Sequence, residues 1–243
     1  MDSEVRKKRN IWITGASSGI GFSLVEQFAA HGDNVIASAR DESKLNKLSE
    51  HLNSLLLNVD IDLCDVRNDE AVSSTAKRIL AKYGTVDILI NNAGITCFND
   101  FLSTSLQEYE DVINTNLRGI FLTTKSILPA MAQQRFGIVL NILSFVVKKI
   151  FKRSAIYTAS KAGADAMMNV VRAEVRHLGI KIVNIYPGAV ATPMWHPRQL
   201  EKYNSQMLAP NDVASTIYQV SCQQPSSMIE ELILRPQNGD LGE

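Results

Sequence analysis

The chain has 243 residues, of which 45% are hydrophobic, so it can bury the core of one large α/β domain or, less easily, of two small domains. Its 25 basic and 25 acidic residues give a net charge of zero, which excludes a global electrostatic preference for nucleic acid or an acidic polymer. The three cysteines, Cys64, Cys97 and Cys222, are far apart, so we predict free thiols in a cytoplasmic protein rather than a disulfide framework or a metal site.

The N-terminal stretch carries charged residues followed by only three apolar residues, Ile11 to Ile13. A signal peptide needs a longer apolar region than this. No later segment approaches the roughly 18 consecutive apolar residues of a membrane helix. We therefore expect neither a secretory signal nor a membrane partner.

Short apolar runs rich in Ile and Val predict seven strands, and runs of this kind suit parallel strands that are buried on both faces. They lie at 11–14, 34–39, 55–61, 86–92, 137–143, 180–186 and 231–236. Amphipathic stretches between them predict helices near 19–31, 41–51, 68–83, 105–134, 155–178 and 210–222.

This alternation predicts a doubly wound α/β fold, in which a seven-stranded parallel sheet carries helices on both faces. No linker or repeat interrupts it, so we predict a single domain over residues 1–243, least regular at about 189–209. Ligands of such sheets bind beyond the carboxyl ends of the strands. Functional residues are therefore expected just after each strand.

A glycine-rich turn, "TGASSGIG" from Thr14 to Gly21, follows the first strand and leads into an apolar helix. Glycines let the backbone approach a ligand, and the helix N-terminus offers free N–H groups to a pyrophosphate. The spacing differs from the standard G-x-G-x-x-G, and any tight turn favours glycine. The position after the first strand nevertheless favours a dinucleotide site. Its candidate contacts are Gly15, Ser17, Ser18, Gly19, Ile20 and Gly21.

Four further motifs follow in order: "NNAG" at 91–94, Ser144 after the fifth strand, Tyr157-x-x-x-Lys161 on the next helix, and "PGAVATP" at 187–193. With them the chain resembles the short-chain dehydrogenase/reductase family over essentially its whole length, and in particular its single-domain members. The resemblance implies a Rossmann-type fold, a nicotinamide dinucleotide cofactor and hydride transfer to or from a carbonyl carbon.

The second strand ends near the adenosine ribose in such folds, where an acidic residue selects NAD. This chain has Ala39 at that position and Arg40 after it, while Asp41 comes one residue late and is expected to begin the next helix. A guanidinium pairs with a phosphate through two parallel hydrogen bonds. We therefore predict NADP(H) as the cofactor, although a solvated arginine at a strand end would look the same.

Other cofactor contacts follow from the resemblance. Asp65 and Val66 are expected to flank the adenine, although Asp65 would equally suit a helix cap. Small residues at Asn92, Ala93 and Gly94 would let the ribose pass close to the backbone. Contacts near the nicotinamide are expected from Pro187, Gly188, Val190 and Thr192.

Tyr157 and Lys161 stand one helical turn apart, so their side chains share a face. An ammonium beside a phenol lowers the phenol's pKa from about 10 toward neutrality. We predict Tyr157 as general acid and base, with Lys161 lowering its pKa and holding the nicotinamide ribose. Ser144 would hydrogen-bond the substrate carbonyl oxygen. A Tyr-x-x-x-Lys pair alone also arises by chance on many helices.

The resemblance adds Asn116, which in the family positions a water that relays protons to the lysine; Asn114 competes for this role. Past the sixth strand, a substrate-facing segment follows at about 193–209, and its aromatic side chains would either cover an apolar substrate or pack at a subunit contact. Cys97 and Phe98 would also face the substrate. The candidate lid residues are Met194, Trp195, His196 and Tyr203, and we assign no catalytic role to His196.

Two features depart from the family pattern. The family usually has two consecutive serines after the fifth strand; here Leu143 replaces the first, and the second, catalytic serine is retained as Ser144. The loop after Ser144 is bulky and basic where small residues are usual. Its cations either attract an anionic substrate or carrier, or form a solvated loop. They are Lys148, Lys149, Lys152 and Arg153.

The leading interpretation is an NADP(H)-dependent reductase of a ketone or 3-oxoacyl substrate that works as a homotetramer or homodimer. One alternative is a regulatory protein that binds NADP without turnover, although such relatives lose the tyrosine or the lysine. A second alternative is an NAD-dependent alcohol dehydrogenase, which would need an acidic residue near Ala39.

Overall fold

A parallel sheet of seven strands forms the centre of the protein, in the order β3-β2-β1-β4-β5-β6-β7. The computed structural model describes residues 8–241, so residues 1–7 of the charged N-terminal stretch and the last two residues of the predicted domain lie outside it. The strands are β1 (Asn10–Thr14), β2 (Asn34–Ala39), β3 (Val59–Leu63), β4 (Ile88–Asn91), β5 (Gly137–Ile142), β6 (Ile180–Pro187) and β7 (Glu231–Leu234).

Eight α-helices lie in the described part of the chain. They are α1 (Gly19–Ala30), α2 (Glu42–Ser54), α3 (Asp69–Tyr83), α4 (Leu106–Ile113), α5 (Gly119–Gln134), α6 (Ala155–Val175), α7 (Pro197–Tyr203) and α8 (Pro210–Ser221). None of the helices in residues 8–241 is both long and apolar enough to cross a membrane.

The core consists of two apolar layers, one on each face of the sheet. Residues of β1 alternate between them: Ile11 and Ile13 pack with α1, α2 and α8, whereas Trp12 packs with α3, α5 and α6. Burial on both faces explains why the central strands are mostly apolar. The predicted doubly wound α/β fold is confirmed.

Two predicted elements differ from the structure. The third strand occupies Val59–Leu63 rather than 55–61, because Leu55 and Leu56 follow the end of α2 and are exposed. The predicted helix at 105–134 is three elements, since a π-helical stretch at Asn114–Arg118 separates α4 from α5. Such stretches frequently occur at functional sites.

Three buried asparagines form a ladder across the central strands. Asn91, Asn141 and Asn184 are in register on β4, β5 and β6. Asn91 donates to the Asn141 side-chain oxygen at 2.9 Å, and Asn141 donates to that of Asn184 at 3.0 Å. Asn184 in turn donates to Asp165 at 2.8 Å, and Thr123 donates to Asn91 at 2.6 Å. The ladder satisfies these buried amides and fixes the relative position of the three strands.

The strand order reverses between the neighbours β1 and β4. The chain adds β2 and β3 on one side of β1, and then adds β5, β6 and β7 on the other side, beyond β4. This switch point is where open α/β sheets bind ligands. The turns after β1 and β4 therefore meet where the predicted site residues lie.

Candidate active site

A cavity of about 920 Å³ lies at the carboxyl ends of the strands. Two of the predicted residues, Gly21 and Asn116, are buried behind its wall. The others line it: Gly15, Ser17, Ser18, Gly19, Ile20, Arg40, Asp65, Val66, Asn92, Ala93, Gly94, Ser144, Tyr157, Lys161, Pro187, Gly188, Val190 and Thr192.

The glycine turn needs its glycines for two different reasons. Gly15 and Gly19 have φ angles of +63° and +55°, in the left-handed region that disfavours side chains. A Cβ at Gly21 would lie 2.2 Å from the carbonyl oxygen of Gly15, which no side chain tolerates. Gly21 therefore permits close packing of the turn on α1, whereas it was predicted to contact the cofactor itself.

Asn92 holds the glycine turn in place. Its amide nitrogen donates to the carbonyl oxygens of Thr14 and Gly15, both at 3.0 Å. The Thr14 hydroxyl oxygen in turn accepts from the backbone N–H groups of Asn92 and Ala93, both at 3.1 Å. The turns after β1 and β4 are thus joined by hydrogen bonds, a role for Asn92 that the sequence pattern did not indicate.

One end of the cavity carries exposed cations. Ala39 is buried and Arg40 is exposed at the end of β2. Asp41 caps α2, since its side chain accepts from the backbone N–H of Lys44 at 3.1 Å, and this hydrogen bond lowers the pKa of the carboxyl below its ordinary value. Lys44 also lines the cavity and adds a second positive charge that the sequence reasoning missed.

Asp65 is a cavity residue and does not cap a helix. Burial alone would raise the pKa of its carboxyl, but hydrogen bonds from Arg67 outweigh this and lower it. The Arg67 guanidinium lies 2.7 Å from the Asp65 carboxylate and 3.1 Å from that of Asp111. The side chain that caps α3 is Asn68, which accepts from Ala71 at 2.9 Å.

Tyr157 lies at the other end of the cavity, buried on α6 with the Ser144 side chain beside its phenol. Burial raises the pKa of Tyr157, and the Ser144 hydrogen bond opposes the rise only in part. Ser144 is itself fixed where β5 ends, since its hydroxyl oxygen accepts from the backbone N–H of Val146 at 3.3 Å. The Tyr157 phenol and the Ser144 hydroxyl are thus neighbours in the cavity wall.

Lys161 lies beside this pair but directs its ammonium elsewhere. Its Nζ donates to the carbonyl oxygen of Ile142 at 2.7 Å and is 5.9 Å from the centroid of the Tyr157 ring. Burial lowers the pKa of Lys161 to about 8, because the charged form loses its hydration. The predicted lowering of the Tyr157 pKa by Lys161 is therefore not found in this structure, where the pKa of Tyr157 is raised.

Asn116 lies in the π-helical stretch and is fully buried. Its side-chain oxygen accepts from the backbone N–H of Ile95 at 2.9 Å, and its amide nitrogen donates to Ile95 and to the Ser160 hydroxyl. A Cβ at Gly94 would lie 3.3 Å from the Asn116 side-chain oxygen and 3.4 Å from Lys161 Nζ. Asn116 is thus adjacent to Lys161, with its amide engaged by protein groups.

Aromatic side chains surround the space beside Tyr157. The ring of Phe98 lies 5.8 Å from that of Tyr157 and 6.5 Å from that of Trp195, measured between centroids. The indole N–H of Trp195 donates to the Val190 carbonyl at 2.9 Å, which fixes the ring. Phe98, Met194, Trp195 and Tyr203 line the cavity as predicted, whereas Cys97 is absent from its lining.

His196 caps α7, because its side chain accepts from the backbone N–H of Arg198 at 3.3 Å. It does not belong to the lining of the cavity. The capping hydrogen bond gives a structural reason for a histidine at this position.

The basic loop divides into two pairs. Lys148 lies 2.9 Å from Glu231, and Lys149 lies 2.8 Å from Asp240, so both are paired with carboxylates near the C-terminus. The other two cations, Lys152 and Arg153, line the cavity and remain the candidates for contact with an anionic group, although Arg153 also lies 3.7 Å from the carboxylate of Asp100. The residues Asp240 and Leu241 also line the cavity, although nothing in the sequence pattern pointed to them.

The residues of the cavity fit a nicotinamide dinucleotide. The glycine turn presents backbone N–H groups at the start of α1, which suits a pyrophosphate. Arg40 and Lys44 at one end suit a phosphate, and Tyr157 and Lys161 at the other end offer hydroxyl and ammonium groups to a ribose. The volume of about 920 Å³ lies at the upper end of the range for ligand pockets.

Comparison with known proteins agrees with this geometry. A family model described as short chain dehydrogenase matches residues 9–202. The chain is 31% identical over 241 residues to sepiapterin reductase from Chlorobaculum tepidum, covering 96% of this chain and 98% of that protein. It is 34% identical over 182 residues to 3-oxoacyl-[acyl-carrier-protein] reductase from Thermotoga maritima, covering 75% and 74%.

Among solved structures, the closed form of a serine dehydrogenase complexed with NADP+ superposes with a TM-score of 0.88 at 26% identity, covering 96% of this chain and 97% of that one. The family match, the sequence relatives and the shared fold lead to one conclusion: the chain belongs to the short-chain dehydrogenase family of oxidoreductases.

Proposed function

We propose that this protein is an NADP(H)-dependent oxidoreductase that interconverts a carbonyl group and a secondary alcohol, acting as a single domain. The observation that carries the proposal is that Tyr157, Ser144 and Lys161 line the same end of the cavity that begins at the glycine turn. The NADP+ complex of the structurally similar serine dehydrogenase supports the choice of cofactor.

In the direction of reduction, Ser144 donates a hydrogen bond to the carbonyl oxygen and orients it. When bound, the reduced nicotinamide supplies the hydride that forms the new C–H bond. Tyr157 donates its proton to the oxygen as negative charge develops there, and the alcohol is complete. The raised pKa of Tyr157 keeps this proton in place at neutral pH. In oxidation Tyr157 accepts the same proton.

Lys161 supplies positive charge when Tyr157 has lost its proton. It lies close enough for this, at 5.9 Å from the ring centroid, and its pKa of about 8 leaves it mostly charged at neutral pH. Asn116 bonds to Ile95 and Ser160 beside the lysine, and in this proposal it supports the return of a proton to the tyrosine through Lys161.

Replacing Tyr157 with phenylalanine tests the mechanism. We expect the rate of ketone reduction to fall about 10²- to 10⁴-fold, because the general acid is lost, while NADPH still binds. Tyr83→Phe, a matched change far from the cavity, should leave the rate unchanged. A Tyr157→Phe variant that keeps its activity would contradict the mechanism.

A second experiment uses the parent protein. Tight NADPH binding without turnover of any ketone in a panel would favour a regulatory protein over an enzyme.

The preference for NADP(H) over NAD(H) rests on Arg40 at the end of β2 and on the engagement of Asp41 as a helix cap. A charge-assisted hydrogen bond contributes about 1.5–3 kcal/mol, so Arg40→Ala should weaken NADPH binding by about 10- to 100-fold. Binding of NADH should change little, and Lys47→Ala on the helix α2 that follows Arg40 serves as the control. Equal losses for both dinucleotides would refute the assignment, and fluorescence titration measures both.

The substrate is a small carbonyl compound with an apolar or aromatic group. Phe98, Trp195 and Tyr203 supply aromatic surface beside Tyr157, which suits such a group. The relatives that reduce sepiapterin and 3-oxoacyl chains are consistent with a carbonyl substrate. Steady-state assays with ketones, oxoacyl thioesters and sugars would identify the class, and a preference for hydrophilic sugars would contradict it.

The protein acts as a cytoplasmic homo-oligomer in this proposal. Around the start of α4, Phe101, Leu102 and Leu106 are 69%, 100% and 71% exposed, which is an unusual amount of apolar surface for a monomer. The edge strand β7 pairs only with β6 within the described chain, so its other edge is available to a second copy. Light scattering after size exclusion tests this, and a monomer at micromolar concentration would refute it.

A further inference from the structure

The C-terminal segment, residues 235–241, follows β7 and contributes to the wall of the cavity. Asp240 and Leu241 both line the cavity on the side of Phe145 and Phe151. The Asp240 side chain is only 9% exposed, which is unusual for a carboxylate so near the end of a chain. A buried carboxylate of this kind needs cationic or hydrogen-bonding partners.

Among the described residues, Lys149 and Arg235 hold the Asp240 carboxylate. Its Oδ2 lies 2.8 Å from Lys149 Nζ and 2.9 Å from a terminal nitrogen of Arg235. Burial alone would raise the pKa of Asp240, but hydrogen bonds from Lys149 and Arg235 outweigh it and lower the pKa. The carboxylate therefore stays charged and joined to both cations at neutral pH.

The same segment touches two turns that carry predicted site residues. The Arg235 guanidinium lies over the ring of Phe145, 4.3 Å from its centroid, and Phe145 directly follows Ser144. A Cβ at Gly188 would lie 3.0 Å from Pro236, so the backbones pack closely there. The C-terminal segment is thus bonded to the basic loop and packed against the turns after β5 and β6.

We propose that Asp240 is a positioning residue, which with Lys149 and Arg235 clamps the C-terminal segment as a fixed wall of the substrate pocket and so limits the size of the carbonyl substrate. This inference rests on the proposed function. It also assigns a task to part of the basic loop, because Lys149 acts on this wall rather than on an anionic substrate.

Two variants separate the clamp from a direct contact between Asp240 and the substrate. Asp240→Asn and Lys149→Met break the same ion pair from opposite sides. If the clamp exists, both raise kcat/KM for a bulky aryl ketone relative to a small methyl ketone by about tenfold, and the double variant adds little. NADPH binding is expected to stay unchanged. If only Asp240→Asn alters the ratio, Asp240 contacts substrate directly and the clamp is refuted, as it is if neither variant alters it.

Hydrogen exchange tests the clamp without any turnover. Amide exchange in residues 237–241 of the full-length protein should accelerate by about tenfold or more in both variants, because the segment opens more often. Lys148→Met removes a neighbouring charge that pairs with Glu231 instead, and it should leave this exchange unchanged. Unchanged exchange in Asp240→Asn and Lys149→Met would overturn the inference. Faster exchange without ketone turnover would refute the proposed function and leave the clamp standing.

Discussion

Lys161, whose charge the proposed mechanism uses, should lower the free energy of unfolding of the protein. The side chain is 4% exposed, and burial lowers its pKa from the ordinary 10.5 to about 8. The unfolded chain therefore binds a proton that the folded chain has released between pH 8 and pH 10.5. The free energy of unfolding consequently rises with pH through this window, and the full penalty applies below pH 8.

The magnitude follows from the pKa difference. At 1.36 kcal/mol per pKa unit, burial of the charged lysine costs about 3 kcal/mol at pH 7. Lys161→Met keeps the length of the side chain and removes the charge, but it also loses the hydrogen bond to the Ile142 carbonyl, which contributes about 1 kcal/mol. We expect the variant to be about 2 kcal/mol more stable than the parent at pH 7 and to be severely impaired in catalysis.

Urea unfolding at pH 7 and at pH 9.5, followed by tryptophan fluorescence at fixed protein concentration, measures the effect. The gain at pH 7 should shrink at pH 9.5, where the parent lysine is mostly neutral in the folded state. Lys47→Met, on the exposed face of α2, is the matched control and should change neither value by more than about 0.5 kcal/mol. A Lys161→Met variant no more stable than the parent at pH 7, or with an unchanged pH dependence, would refute the reasoning.

Asn141→Ala breaks the asparagine ladder and leaves the side-chain oxygen of Asn184 without its donor, so it should lower the free energy of unfolding by about 3 kcal/mol. Asn53→Ala at an exposed position should stay within about 0.5 kcal/mol in the same denaturation experiment, and equal effects would contradict the role of the ladder. Gly21→Ala places a methyl group 2.2 Å from a carbonyl oxygen of the glycine turn, so the unfolding midpoint and NADPH affinity should both fall, by about 1–3 kcal/mol in stability. Gly163→Ala meets only a flexible leucine tip at 3.2 Å and should be tolerated; comparable losses in both would argue against this steric account.

The fold was predictable because most strands are buried on both faces and therefore appear as apolar runs. The edge strands β3 and β7 are exceptions, and in β3 Asp60 and Asp62 alternate with apolar residues and pair with Lys82 and Arg78 of α3. A search for continuous apolar runs selects the leucines before it instead. Alternation, rather than total hydrophobicity, was the signal for this half-buried strand.

The candidate site was predictable where its residues follow closely after strands, as Gly15, Ser144 and Gly188 do. Its remaining parts depend on contacts between residues far apart in the chain. The clamp on Asp240 joins a loop to the C-terminus across 91 positions, and no local pattern reports such a pair. The sign of the Tyr157 pKa shift likewise depends on burial, which the Tyr-x-x-x-Lys spacing does not reveal.

The asparagine ladder has a consequence for the geometry of the cavity. Gly94, Ser144 and Pro187 each stand three residues after a ladder asparagine on β4, β5 and β6. Because the ladder holds the three strands in register, these residues stand at equivalent positions relative to the strands, and all three line the cavity. The loops that follow can therefore differ in length and composition between relatives without moving these three site residues relative to one another.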